Sequence, residues 1–248
     1  GKVKLGYVGA FPYAEVVSGY TAYYLGVTSI VSDVTMEVVY TNSWFDIEGE
    51  AAAAETLMAD GCVIIAQHAD STGAPTAVQK ALDNGKTAYS IGYNVSMLDV
   101  APQAALTSAS NNWDRTYATI FSAAMKGEKI PQDLALGYKD DGVCITELGE
   151  SVAAGTAEKV AEVIAAIKDG SLKVFDTSKF TVGGETLTEC EVNLSYVDWA
   201  AGGTVVYEGA TVNAIKTENG VSYFDESSFR SAPYFQVRID GIVELSEK

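Results

Sequence analysis

The chain has 248 residues, 48% of them apolar and 20% charged, which allows one large or two modest folded domains and excludes a disordered chain. Its 33 acidic against 16 basic side chains leave a formal charge of −17, which argues against nucleic-acid binding, since that needs clustered Lys/Arg to displace phosphate counterions. No apolar run is long enough to span a membrane, and one histidine with three scattered cysteines (Cys62, Cys144, Cys190) implies no metal site, disulfide framework or cofactor.

Gly1-Lys2-Val3-Lys4 leads straight into Leu5-Gly6-Tyr7-Val8-Gly9 with no signal peptide, as in a mature chain or one cut from something longer. Residues 3–8 read as a buried strand and Ala10-Phe11-Pro12 as a loop. A helix over 14–27 carries Val16, Val17, Tyr20, Tyr24 and Val27 on one face. Strand 36–41 ends in a polar turn that presents Trp44 and Phe45. Asp46 N-caps a helix over 47–59, on which Glu48, Glu50 and Glu55 read as a solvated face. Strand 62–66 opens on Cys62, a small buried hydrophobe, and runs into the loop Gln67-His68-Ala69-Asp70-Ser71-Thr72-Gly73. A helix over 75–83 and a strand over 87–91 complete the series. Strands and helices alternating at this spacing mean βαβ units and a parallel sheet, an α/β fold.

Beyond Asn94 the pattern changes. Leu106-Thr107-Ser108 is short and strand-like, and a helix over 114–126 ends before Gly127. Another helix over 155–168 has Val160, Val163, Ile164 and Ile167 as its apolar stripe. From 180 onward the texture is β: residues 205–215 alternate, Asn219-Gly220 marks a hairpin turn, 221–224 pair back, and 234–239 form a closing strand.

In an open α/β sheet, ligands bind outside the carboxyl ends of the strands. Phe11, Trp44, the Gln67–Asp70 loop and Gly92-Tyr93-Asn94 follow successive strands, so they converge on one edge. A lone loop tryptophan is as readily core packing as a binding wall, and the neighbouring loops favour the wall, where an aromatic face stacks on a planar ligand. His68 suits three roles: acid/base catalysis with Asp70 as its orienting partner, hydrogen bonding to a ligand, or structural satisfaction. No GxSxG elbow supports acyl transfer. Gln67 offers a donor and an acceptor to a nucleobase edge, and Asp70 either reads hydroxyls or caps the next helix. Gly6-Tyr7-Val8-Gly9 lacks the GxGxxG spacing of a dinucleotide site and serves tight packing instead.

Gly6-Tyr7-Val8-Gly9-Ala10-Phe11-Pro12 with Glu15-Val16-Val17, Thr41-Asn42-Ser43-Trp44-Phe45-Asp46, Ala66-Gln67-His68-Ala69-Asp70-Ser71 and Ile91-Gly92-Tyr93-Asn94 together resemble the basic membrane protein family. These are substrate-binding lipoproteins of ABC importers that take purine nucleosides and nucleobases. The resemblance extends through Asn112-Trp113 and returns at 174–176 and 229–235. It implies a type I periplasmic-binding-protein fold, two α/β lobes closing on a ligand, with a β-rich C-terminal extension here. On this pattern residues 1–105 are the ligand-binding second lobe, with Gly1 near the first interlobe crossing. Residues 106–145 are a crossover whose helix packs on a missing first lobe and exposes apolar surface here, and residues 146–248 are a return helix and β-rich region. The resemblance places Trp44 against the purine, Phe11 in the pocket lining, Gln67, His68 and Asp70 along the ligand edges, and Asn112 and Trp113 at a further contact. Asn94 departs from the pattern, where an aspartate holds ribose hydroxyls. An amide gives no charge-assisted bond there, which shifts weight toward a free base. The implied protein is an extracytoplasmic solute receptor without chemistry, partnered by permease subunits and tethered through a lipid anchor on the absent N-terminus. The alternatives are an enzyme acting on nucleosides or sugars through His68 and Asp70, and a ligand-sensing ectodomain.

Overall fold

A computed structural model describes residues 2–131, 133–198 and 201–245; Gly1, taken above as the start of the lobe, lies outside them. Strands and helices alternate as β1 (Val3–Gly9), α1 (Ala14–Thr28), β2 (Val34–Tyr40), α2 (Ile47–Ala59), β3 (Ile64–His68), α3 (Gly73–Asp83) and β4 (Tyr89–Tyr93). The chain continues through β5 (Ala105–Asn111), α4 (Trp113–Lys126), β6 (Val143–Ile145) and α5 (Thr156–Asp169). The remaining strands are short: β7 (Glu191–Asn193), β8 (Tyr196–Asp198), β9 (Thr204–Tyr207), β10 (Thr211–Asn213), β11 (Ile215–Glu218), β12 (Val221–Phe224) and β13 (Ile242–Leu245).

One sheet has the order β13-β2-β1-β3-β4-β5-β6 and is parallel apart from β6, which pairs antiparallel with β5. It draws strands from all three segments set out above. The other strands pair as antiparallel ribbons, β7 with β10, β8 with β9 and β11 with β12.

Side chains of a strand alternate between the two faces of its sheet, and both faces are covered. On one, Leu5, Tyr7, Met36, Val38 and Ala66 meet Val16, Val17, Tyr20 and Tyr24 of α1. The same core takes Phe175, Phe224, Tyr234 and Phe235 from the far end of the chain, with Phe175 stacked on Phe235 at 4.4 Å. On the other face, Val8 and Ile65 meet Ala53, Ala54 and Leu57 of α2 and Ala74, Ala77 and Val78 of α3. Gly6 is the close approach anticipated above, since a Cβ there would stand 2.6 Å from Ile65 Cδ1. Cys62 is buried just ahead of β3; burial pushes its thiol up to about 12. The three-layer α/β lobe with a β-rich extension is therefore present.

Three details differ from the sequence reading. Residues 234–239 are not a strand: Tyr234 and Phe235 are both buried, and neighbouring residues of a flat strand cannot share a face. The strand that closes the sheet is β13, pinned where Glu244 accepts hydrogen bonds from the Tyr20 hydroxyl at 2.6 Å, the Tyr40 hydroxyl at 2.8 Å and Arg238 Nε at 3.0 Å. The alternating stretch 205–215 is split between β9 and β10, and every residue of β9 is exposed. The hairpin turn at Asn219-Gly220 holds, with φ of 50° and 82°.

Candidate ligand-binding site

The chain leaves β1 for β2 on one side and returns to place β3 on the other, so the switch point of the sheet lies between β1 and β3. There the loops at the carboxyl ends part and leave a crevice. Phe11 and Tyr13 follow β1, Trp44 follows β2, and His68 and Tyr93 are the last residues of β3 and β4. Their rings form a continuous row. Phe11 stacks on Tyr13 at 4.9 Å, Trp44 lies 5.7 Å from Phe11 and 6.4 Å from both Tyr13 and His68, and His68 sits 4.1 Å from Tyr93. Trp44 and Phe11 are half-buried and Tyr13 is exposed, so the row is open to solvent along one side.

The loops behind the row are tied together. Asp46 caps α2 by accepting from Gly49 N at 2.9 Å, and Trp44 O accepts from Asp70 N at 2.7 Å. Glu50 is fully buried, a correction to the solvated face assigned above, and its neighbours Glu48 and Glu55 are exposed. Its Oε1 accepts from Ser71 N at 3.2 Å and Asp46 N at 3.4 Å, joining the Trp44 loop to the Asp70 loop. Burial raises the Glu50 carboxyl above its ordinary value. Gly73 completes the joint, because a Cβ there would strike the Ile47 carbonyl oxygen.

Gln67 serves this joint rather than the row. Its Nε2 donates to Ala69 O at 2.8 Å and Ser71 O at 3.0 Å, and alternation along β3 turns it away from the face that carries His68. Asp70 is exposed and does not cap α3; its Oδ1 accepts from Asn94 Nδ2 at 2.8 Å. Asn94 is held at φ 66°, its carbonyl bonded by Ser110 Oγ at 2.6 Å. The pair His68–Asp70 expected of a catalyst is not made. His68 is buried, with Nδ1 3.4 Å from the Tyr7 hydroxyl and Nε2 3.6 Å from Glu15 Oε1. A Cβ at Gly19 would stand 2.7 Å from that Nδ1, so α1 clamps the ring directly.

Asn112 and Trp113 are not brought into the row. Asn112 Nδ2 donates to Asp141 O at 3.0 Å, and Trp113 opens a different series, 6.0 Å from Tyr117, which stacks on Phe121 at 6.0 Å. With Met125 these side chains form a stripe along α4 that is 52–88% exposed, the apolar surface anticipated for that helix. Tyr13 and Tyr93 belong to loops that the sequence places on this edge and Glu15 to the family motif, but none of the three was singled out as a site residue. Position was the available signal, since the last residue of a strand and the first turn of the following helix share the carboxyl edge. Glu15 accepts from the Tyr93 hydroxyl at 3.3 Å, and the His68 imidazole beside it, with Tyr93, holds its carboxyl below the usual carboxylate range. No group of three His, Cys, Asp or Glu side chains that could hold a metal is found among the described residues, and none of their helices is long and apolar enough to cross a membrane.

A doubly wound lobe with an open aromatic row at its switch point is the architecture of a solute-binding protein. The chain belongs to the family of ABC transporter substrate-binding proteins described as PnrA-like, whose model matches residues 2–176. It is 36% identical over 174 residues to a purine-binding protein of Brucella abortus, covering 68% of this chain and 47% of that one. It is 33% identical over 177 residues to a protein of Haloferax volcanii named as an ABC transporter glucose-binding protein, covering 71% and 44%. The chain thus spans about half the length of these curated relatives. Among solved structures, ABC transporter solute-binding proteins of Aeropyrum pernix share the fold at a TM-score of 0.57 and 22% identity, covering 71% of this chain and 58% of that one. A transcriptional activator of the comK gene of Bacillus halodurans does so at 0.57 and 21%, covering 68% and 57%.

Proposed function

We propose that this chain supplies one lobe of a two-lobe substrate-binding protein of an ABC importer, and that its aromatic row receives a purine nucleobase or nucleoside without chemistry. The observation that carries the reading is the row itself: Phe11, Tyr13, Trp44, His68 and Tyr93 in ring contact at the switch point, open along one side. Phe11 and Tyr13 lie near-parallel and Trp44, His68 and Tyr93 are tilted against their neighbours, so the row offers apolar ring faces with polar tips, against which a planar heterocycle can stack. The Brucella relative, named for purine binding, supports that choice. A second lobe is supported by the length of the relatives and by the exposed stripe on α4, which segments 106–145 and 146–248 would turn toward it. In this reading the receptor works outside the cytoplasm, is held to the membrane by a lipid anchor and delivers to permease subunits. The Haloferax relative, named for glucose, supports a second ligand class, since sugars also lie against aromatic faces.

Calorimetry on the full-length protein with adenine, guanine, adenosine, inosine and glucose tests the proposal. Binding of a purine ligand at micromolar or tighter affinity, with glucose inert, is the expected result. Binding of glucose alone would replace the purine by a sugar, and steady release of base from a nucleoside would replace the receptor by an enzyme.

A further inference from the structure

The four loops that build the row, 10–13, 41–46, 67–73 and 92–95, contain neither lysine nor arginine. Their acidic side chains are Asp46 and Asp70, joined by Glu15 from the first turn of α1. Asp46 caps α2 and Asp70 accepts the Asn94 amide, each through Oδ1. Glu15 is the one of the three that faces ring members of the row. Its Oε1 faces His68 Nε2 and the Tyr93 hydroxyl, whereas Oε2 has no partner among the described residues, and the side chain is 46% exposed. His68 and Tyr93 are members of the row, so the Glu15 carboxylate stands beside it. Glu15 also lies at the positive end of the α1 dipole, which favours the anion.

A carboxylate can only accept, and hydrogen bonds to it are about twice as strong as neutral ones. An anion fixed beside an aromatic face, in loops without basic side chains, selects against a phosphate and in favour of a ligand edge that donates. We propose that Glu15 Oε2 accepts a hydrogen bond from the exocyclic amino group of the stacked heterocycle, so that the site takes amine-bearing bases and rejects their phosphorylated forms. This inference rests on the purine reading above and narrows it to donor-edged bases.

The test is calorimetry on the full-length protein with adenine, N6,N6-dimethyladenine, guanine, N2,N2-dimethylguanine, adenosine and adenosine 5′-monophosphate, comparing the parent with Glu15→Gln and Glu15→Met. Glu15→Gln retains a polar partner for Tyr93, and melting curves establish that both variants are folded. The parent is expected to prefer at least one unmethylated base over its dimethyl analogue by about tenfold or more, as loss of a charge-assisted bond implies. Both variants should shrink that ratio to within about threefold. A ratio near one in the parent, a ratio unchanged in both variants, or tighter binding of the monophosphate than of adenosine would overturn the role of Glu15 and leave the purine reading standing. Failure of the parent to bind any of these bases or nucleosides would remove both.

Discussion

Trp44 is half-buried against the edge of the core, with a ring contact on each side and its backbone carbonyl held by Asp70 N, so one part of the ring is left open to solvent. Removing it should therefore cost affinity more than stability. Trp44→Ala is expected to weaken purine binding by more than tenfold, since loss of a base–aromatic stack is worth about 1–3 kcal/mol. Trp44→Phe should restore most of it in the same titration. Glu50 makes the opposite kind of prediction. Its carboxyl is raised by burial, so the native state holds the proton more tightly than the unfolded chain, and the group favours folding when protonated. That contribution is complete below about pH 4, and it fades as pH rises through the elevated value. Glu50→Gln keeps an acceptor for Ser71 N and Asp46 N without the charge. Its melting temperature should exceed the parent's at about pH 7.5, and the gain should vanish near pH 4; a constant difference across that range would remove the buried charge as its cause. The place of Trp44 on the carboxyl edge was legible in the sequence, because the β-branched run before it and the helix cap after it fix where its loop falls. Glu50 was not, because its burial comes from the Ser71 loop folding over it, and nothing in residues 47–59 encodes that neighbour. Gln67 was half legible: the strand pleat already forbids it and His68 from facing the same way.

The βαβ series could be read element by element, since each strand and helix has its own periodicity and the spacing alone dictates parallel pairing. β13 could not, for its four residues resemble any short β segment and only the carboxylate of Glu244 ties them to Tyr20 and Tyr40. The tail misled for a related reason. Phe235, Val237 and Ile239 alternate as a strand would, yet Tyr234, Phe235 and Ile239 fill space over α1 as irregular chain. The α2–α3 contact offers the sharpest test at this scale. Gly73 lets the start of α3 press on the Ile47 carbonyl, and no side chain is there to yield. Gly73→Ala should cost about 1–3 kcal/mol by overpacking, read as a lower denaturant midpoint. The same variant should shift tryptophan emission, because the displaced end of α2 carries the Asp46 cap and the loop of Trp44.

Across the whole molecule the apolar surface is unevenly spent. Both faces of the sheet are sheathed, while Trp113, Tyr117, Phe121 and Met125 line α4 in the open. Contiguous exposed apolar patches on a folded protein mark interaction surfaces. If a preceding lobe covers the stripe, Phe121→Lys should lower the melting temperature of the full-length protein by several degrees. In residues 1–248 alone it should change stability by no more than about 0.5 kcal/mol, the usual range for an exposed site. Equal, small effects in both would remove α4 from the lobe interface. The stripe was legible, because an apolar side chain at every fourth residue is local; its exposure was expected only from the family resemblance, since such a stripe by itself points to burial.

The buried joint of Glu50, Ser71, Gln67 and Gly73 has one more consequence. The rings of the row are not the groups that hold their loops in place. In the receptor reading proposed above, fold maintenance and ligand choice are borne by separate residues, and the tips at Tyr13, Glu15, Trp44 and Tyr93 are free to vary without loosening the scaffold beneath. A lobe built this way can be re-specified by descent, exchanging one flat ligand for another a side chain at a time.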